Sequence, residues 1–167
     1  MPEISREVAI YKAHPKLRVT KGEVEAVVAV LDRHSEKFLG GCPSGELSIA
    51  FLTDTALAKI HGNFMSDPTI TDVITFEGDS RANQAGEICV SADTAARYVQ
   101  PVGGTKISAR FQKKFSFELT LYVVHGWLHL AGYDDLHPSK KRRMRAAEKR
   151  AMALLQKNNA LPSFRLN

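Results

Sequence analysis

Between about Arg110 and Leu130 the sequence reads RFQKKFSFELTLYVVHGWLHL, an apolar-rich segment far longer than a single strand. It predicts one central helix that buries most of its surface, with the rest of the chain arranged around it. Gly132 follows, a residue that can adopt the left-handed geometry that ends helices. Upstream, EVAIYKAH reads as an opening strand. TKGEVEAVVAVLDRHSEKF then sets Val24, Val27, Val28 and Leu31 on one helical face, with Thr20 as a possible cap. GELSIAFLTD alternates as a strand, and Thr53 or Asp54 can cap a helix from Thr55 to about His61. TDVITF and GEICVSA are short β-branched runs joined by a turn-rich segment, as expected of neighbouring strands. DTAARYVQPV gives a short helix ending before Pro101, and Pro138 suits the first turn of a last helix.

This order of elements predicts an α/β (α+β) fold, a small mixed β-sheet packed by helices. Neither an internal repeat nor a Pro/Gly-rich linker divides the 167 residues, so residues 1–167 are expected to form a single domain. A chain of this size can bury a core without disulfides or a structural metal. Cys42 and Cys89 stand alone, outside any CxxC pair or zinc-finger spacing, and read as small buried hydrophobes. The N-terminal residues mix charges into their first apolar run, unlike a secretory signal, and no stretch approaches the roughly 20 uninterrupted apolar residues of a membrane span. A cytoplasmic protein without a membrane partner is the expectation; oligomeric state is not legible. Charge is unevenly placed. Residues 138–167 carry nine Lys and Arg against one Glu, which leaves the first 137 residues at net −3 within a chain of net +5. A basic C-terminal helix at about 138–157 is therefore a candidate surface for a polyanion.

The chemistry concentrates in HGWLHLAGYDDLH, residues 125–137. His125 and His129, four apart on the central helix, project from one face a turn apart, so both imidazoles can approach one tetrahedral zinc. A third ligand must come from beyond the helix. Gly132 can turn the chain back, and three residues later comes Asp135, with His137 two further on. Asp135 is the expected third ligand because it needs no bulge and because Pro138 restricts His137 toward extended backbone; His137 is the alternative. Histidines at this spacing also occur as packed or surface residues, and it is the glycine and the donor beyond it that favour a metal. The pattern H-x3-H-x2-G-x2-D resembles the metal-binding half of metzincin proteases and implies a metzincin-like metal helix. Zinc peptidases of the HExxH kind, however, place a Glu general base directly after the first His. Here Gly126 holds that place and can move no proton, which argues against a peptidase.

The same residues carry a closer resemblance. VVHGWLHLAGYDD is similar to the H-G-x-L-H-L-x-G-Y-D-H signature of the YbeY family, bacterial rRNA maturation factors described as metal-dependent endoribonucleases. It matches through His125, Gly126, Leu128, His129, Leu130, Gly132, Tyr133 and Asp134. IHGNFMSDPTITDVITFEGD resembles a second family segment through Asn63, Phe64, Thr71, Asp72, Val73, Ile74, Thr75 and Phe76. AGEICVSADTA resembles a third through Gly86, Glu87, Ile88, Val90 and Ser91, and Glu118 matches a family acidic position. The likeness runs from about residue 45 to 150.

The resemblance implies a zinc-dependent, single-strand-specific endoribonuclease, a hydrolase with one Zn2+ per chain. It would act in 16S rRNA 3′-end processing and in ribosome maturation and quality control, with RNA, the ribosome or its small subunit as partner. Two positions depart from the family pattern. Asp135 stands where the family has its third histidine, and Met65 where it usually has an arginine, a cation that methionine cannot replace at a phosphate. Lys59, Arg81, Lys113 and Lys114 could supply that charge. Beyond the metal, Glu118 and Asp72 are candidate catalytic groups. Asp72 reads equally as a turn or cap residue, Glu118 as a group orienting a histidine, and Asn63 and Thr71 as turn or cap residues. Lys140, Lys141, Arg142 and Arg143 are candidate RNA contacts, set against the usual reading of a charge run as a solvated helix face whose buried side is Met144, Ala147, Met152 and Leu155. From another class, the alternative is a ribosome-associated RNA-binding assembly factor with a metal site and little or no catalysis.

Overall fold

The computed structural model describes residues 6–65, 72–100 and 108–167, without the side chains of residues 63–65. In chain order the elements are β1 (Val8–Lys12), β2 (Leu17–Arg18), α1 (Lys21–Arg33), β3 (Glu46–Leu52), α2 (Asp54–Met65), β4 (Val73–Glu77), β5 (Gln84–Ser91), α3 (Ala92–Val99), α4 (Ala109–Ala131), α5 (Pro138–Lys157) and β6 (Arg165–Leu166). The main sheet is mixed, in the order β1-β3-β5-β4. β1 and β5 flank β3 in parallel, and β4 runs antiparallel to β5. The small β2–β6 pair has no sequence signature, because its two-residue strands are too short to show an alternation.

Alternation along β3 divides the core. Leu47, Ile49 and Phe51 face the main cluster with Ile88 and Val90 of β5, while Ala50 and Leu52 face a smaller cluster with Ile74, Cys89 and Leu57 of α2. Against the main face lie α1, through Val24, Val27, Val28 and Leu31, and α4, through Phe111, Phe115, Leu119, Val123 and Trp127. The long apolar-rich segment is thus the 23-residue helix α4. The expected buried side of α5, Met144, Ala147, Met152 and Leu155, is buried. Both cysteines are free and buried.

Local signals set the element ends. The Ser108 hydroxyl accepts from the Phe111 amide at 3.0 Å and starts α4; Gly132, at φ 114°, ends it. Thr53 caps α2 by accepting from the Ala56 amide. Thr20 precedes α1 but makes no side-chain cap bond. Asp54 instead reaches across to α3, where its carboxylate accepts from Ser91 and Thr94 and pairs with Arg97. Burial alone would raise this carboxyl's pKa, yet those three donors hold it below the ordinary carboxylate range.

The position of α4 on the sheet is fixed at one residue. A Cβ built on Gly126 would meet Ile88 Cγ2 of β5 at 2.4 Å, closer than real Cβ atoms approach. The adjacent Trp127 is fully buried, edge-on to Phe38, and its indole N–H donates to Asp32 at 3.2 Å. Glycine at 126 is therefore required by helix–sheet contact. Gly126→Ala should lower stability in a urea titration by about 1–3 kcal/mol, the usual cost of overpacking a core. Ile88→Ala should cost less in the Gly126→Ala background than it does alone, because it also relieves the clash, and strictly additive losses would show that the contact is not the cause.

Candidate metal centre

Because α4 is anchored through Gly126, the imidazoles one residue before and three residues after it have fixed directions. His125 and His129 are half-buried and lie edge to face, with their Nε2 atoms 3.0 Å apart. Past Gly132 the chain reverses in a short loop. The Asp134 carboxylate accepts from the Leu136 amide at 2.8 Å, an Asx turn that closes the loop, and Lys140 lies 3.5 Å from the same carboxylate. Arg150 of α5 pins the loop's other side: it donates to the Tyr133 hydroxyl and the Lys37 carbonyl, with its guanidinium over the Phe38 ring.

The turn returns Asp135 to the histidines. Its two oxygens lie 3.6 Å from His125 Nε2 and 3.8 Å from His129 Nε2. Taking one ligand atom from each residue, the three all lie within 4.8 Å of one another. Tetrahedral ligands about 2.05 Å from zinc are separated by about 3.3 Å, so the set needs only small side-chain adjustments to close on an ion. Two imidazole nitrogens and one carboxylate oxygen also suit zinc chemically, and three protein ligands leave a fourth position open. Among the described residues this is the one group with such a donor set.

His137 is placed elsewhere. It is the exposed N-cap of α5, in extended backbone at φ −120° and ψ 151°, and is not part of the group. Glu118 sits two turns up α4. Burial raises its pKa, against a hydrogen bond from Tyr122 that lowers it, and the negative charges of Asp72 and Glu148 raise it further. Asp72 accepts from the Val73 amide at 2.8 Å, a turn contact at the start of β4. Neither carboxylate joins the three-residue group. Lys140, Lys141, Arg142 and Arg143 are all exposed on the first turns of α5. Thr71 lies outside the described residues, as do the side chains of Asn63, Phe64 and Met65.

One residue of the site is not singled out by sequence reasoning. Glu148 of α5 reaches His125 Nδ1 at 3.1 Å, on the side of the ring away from Asp135. A proton on Nδ1 shared with this carboxylate leaves Nε2 as a bare lone pair facing His129 and Asp135, the tautomer a metal needs. A signal was present, since Glu148 is the single acid among the nine Lys and Arg of the C-terminal 30 residues. The same contact shapes the electrostatics. Burial pushes the His125 pKa down, but Glu148, by hydrogen bond and by charge, with help from Asp135 and Asp72, leaves it raised. For His129, burial and then the charge of His125 lower the pKa, only partly opposed by Asp135 and by a hydrogen bond to the Tyr133 backbone.

Residues 10–156 match the family described as Endoribonuclease YbeY. The protein of that name from Chlamydia pneumoniae is 33% identical over 143 residues, 83% of this chain and 84% of the relative. Its counterpart from Chlamydia felis is 36% identical over 123 residues, 71% and 74% of the two chains. A solution structure of a Thermotoga maritima protein superposes with a TM-score of 0.57 over 93% of this chain and 94% of its own, at 20% identity, and so shares the fold.

The role of Glu148 has a direct readout in the metal-free protein. Burial lowers the His125 pKa, and Glu148→Gln removes the larger of the contributions that oppose it, leaving only the charges of Asp135 and Asp72. The His125 titration followed by NMR should therefore shift to lower pH. An unshifted midpoint would mean that Glu148 does not govern the ring.

Proposed function

This chain belongs to the YbeY family of endoribonucleases, and from that premise we propose that it is a zinc-dependent endoribonuclease of single-stranded RNA, with His125, His129 and Asp135 holding one ion. The observation that carries the proposal is the three-donor group with Glu148 behind it. Zinc bound there would supply Lewis-acid chemistry toward a phosphodiester. The chain's own residues do the remaining work. Glu148 fixes the tautomer and direction of His125, the Asx turn at Asp134 presents Asp135, and the Tyr133–Arg150 contact steadies the loop. The exposed Lys140, Lys141, Arg142 and Arg143, just past that loop, give phosphates an electrostatic landing surface beside the site. By the same family likeness, the RNA is 16S rRNA near its 3′ end, processed in the cytoplasm on or beside the small ribosomal subunit.

Purified protein incubated with single-stranded RNA should cut it, stop when a chelator is added, and resume when zinc is restored. Asp135→Ala should lose zinc and at least about 100-fold in cleavage rate, no less than outer-sphere changes cost. Cells carrying only that variant should accumulate 16S rRNA with unprocessed 3′ ends. Cleavage indifferent to chelation would remove the metal from the proposal, and a zinc-replete protein that cuts no RNA would favour the assembly-factor alternative. Replacing Lys140, Lys141, Arg142 and Arg143 with Gln should flatten the salt dependence of RNA binding; an unchanged slope excludes that helix face from the contact.

A further inference from the structure

On the N-terminal half of α4, away from the histidines, lies an open groove of about 1010 Å3, at or beyond the upper end of the roughly 300–1,000 Å3 of small-ligand pockets. Its floor is α4 itself. One wall is the end of α3, and the other is the C-terminal segment 161–165. That second wall is firmly built: the Ser116 hydroxyl donates to the Pro162 carbonyl and accepts from the Phe164 amide, while Gln112 exchanges two hydrogen bonds with the Leu166 backbone. The lining is chemically uneven. Among the described lining residues, Arg110, Lys113, Lys114 and Arg165 bring four cations against the single carboxylate of Glu118. Tyr98 and Phe117, 75% and 47% exposed, are two of the few large hydrophobic side chains left to solvent among the described residues.

Cations spaced along a groove with separate exposed aromatic faces are the combination that holds single-stranded nucleic acid: phosphates follow the charge, and unpaired bases stack on the rings. A duplex hides its base faces and cannot use the aromatics. An acidic peptide would match the cations but has little use for two exposed rings. Glu118, which lines the groove, precedes His125 by seven residues of the same helix, about 10 Å at 1.5 Å per residue, so a strand leaving the groove has only a short span to cover to the metal centre. We propose that this groove binds the single-stranded RNA flanking the scissile phosphate, stacking bases on Tyr98 and Phe117 and pairing phosphates with Arg110, Lys113 and Lys114. The inference rests on the reading of the substrate as RNA. It adds a substrate path distinct from the basic face of α5 and assigns the α4 cations to substrate several nucleotides from the cut rather than to the reacting phosphate.

The test measures binding and cleavage separately on the intact protein. Binding is read in chelator from the fluorescence of 2-aminopurine placed along single-stranded RNA long enough to span both regions, with a trinucleotide for comparison. In the wild type the probe should be quenched as it stacks, and the long strand should bind more tightly than the trinucleotide. Phe117→Ala and Tyr98→Ala, with thermal unfolding checked, should each shrink that advantage roughly ten-fold and lose the quenching. Lys113→Gln with Lys114→Gln should lower the salt slope of the long strand. Unchanged affinity, quenching and slope in all these variants would overturn the groove even if the wild type cleaves RNA. Polyglutamate that displaces the RNA at equal charge would overturn it in favour of an acidic protein partner. Groove-dependent binding in a protein that cuts nothing would sustain the groove while the nuclease reading fails.

Discussion

The site depends on the contact between Gly126 of α4 and Ile88 of β5. At this point the helix backbone lies so near the sheet that no Cβ fits between them, and Ile88 occupies the space a side chain would fill. The contact fixes both the height of α4 and its rotation about its own axis, so the histidines at 125 and 129 emerge together at the edge of the covered face. It also explains a chemical difference from HExxH peptidases. Their general base stands directly after the first histidine, the position that faces the sheet in this chain. A glutamate there would have to be buried against Ile88. The packing of the fold thus excludes that mechanism, and proton handling must fall to groups elsewhere.

With α4 fixed, the loop and helix beyond Gly132 complete the site. The chain reverses, closes an Asx turn at Asp134 and enters α5 at Pro138, so Asp135 is held between two anchored helices. Helix α5 then contributes in two ways. Its buried stripe packs it against the core, which brings Glu148 to the back of His125. Its exposed cations put positive charge on the first turns of the helix, just past the loop that carries Asp135. The two effects support each other: an acid within a cationic helix can orient an imidazole without making the surroundings repel a polyanion.

Much of this was legible in the sequence where a signal is local. The length of α4, its end at Gly132, the start of α5 at Pro138 and the β4–β5 pair follow from periodicity, a glycine, a proline and a turn. The meeting of His125, His129 and Asp135 follows from spacing on one helix and one short loop. Contacts between distant residues were not legible. Glu148 meets His125 across 23 residues and looked like one charge in a solvated run. Asp54 was a candidate cap for its own helix, yet Thr53 took that role and Asp54 joined α3 about 40 residues away. The requirement for glycine at 126 depends on a strand almost 40 residues upstream, and the β2–β6 pair joins the two ends of the chain. Each is a tertiary decision for which the local sequence supplies the residue type but not the partner.

Zinc-edge X-ray absorption on zinc-loaded protein is the decisive experiment, because it reads the ligand set without reference to activity. One ion per chain is expected, with two imidazole nitrogens and one carboxylate oxygen from the protein at about 2.0–2.2 Å, in a four-coordinate sphere. Asp135→Ala, unlike the wild type, should no longer retain one zinc per chain after dialysis. A shell of three imidazoles would instead place His137 on the metal, and a shell with no imidazole, or no stoichiometric zinc at all, would contradict the site from which the function is argued.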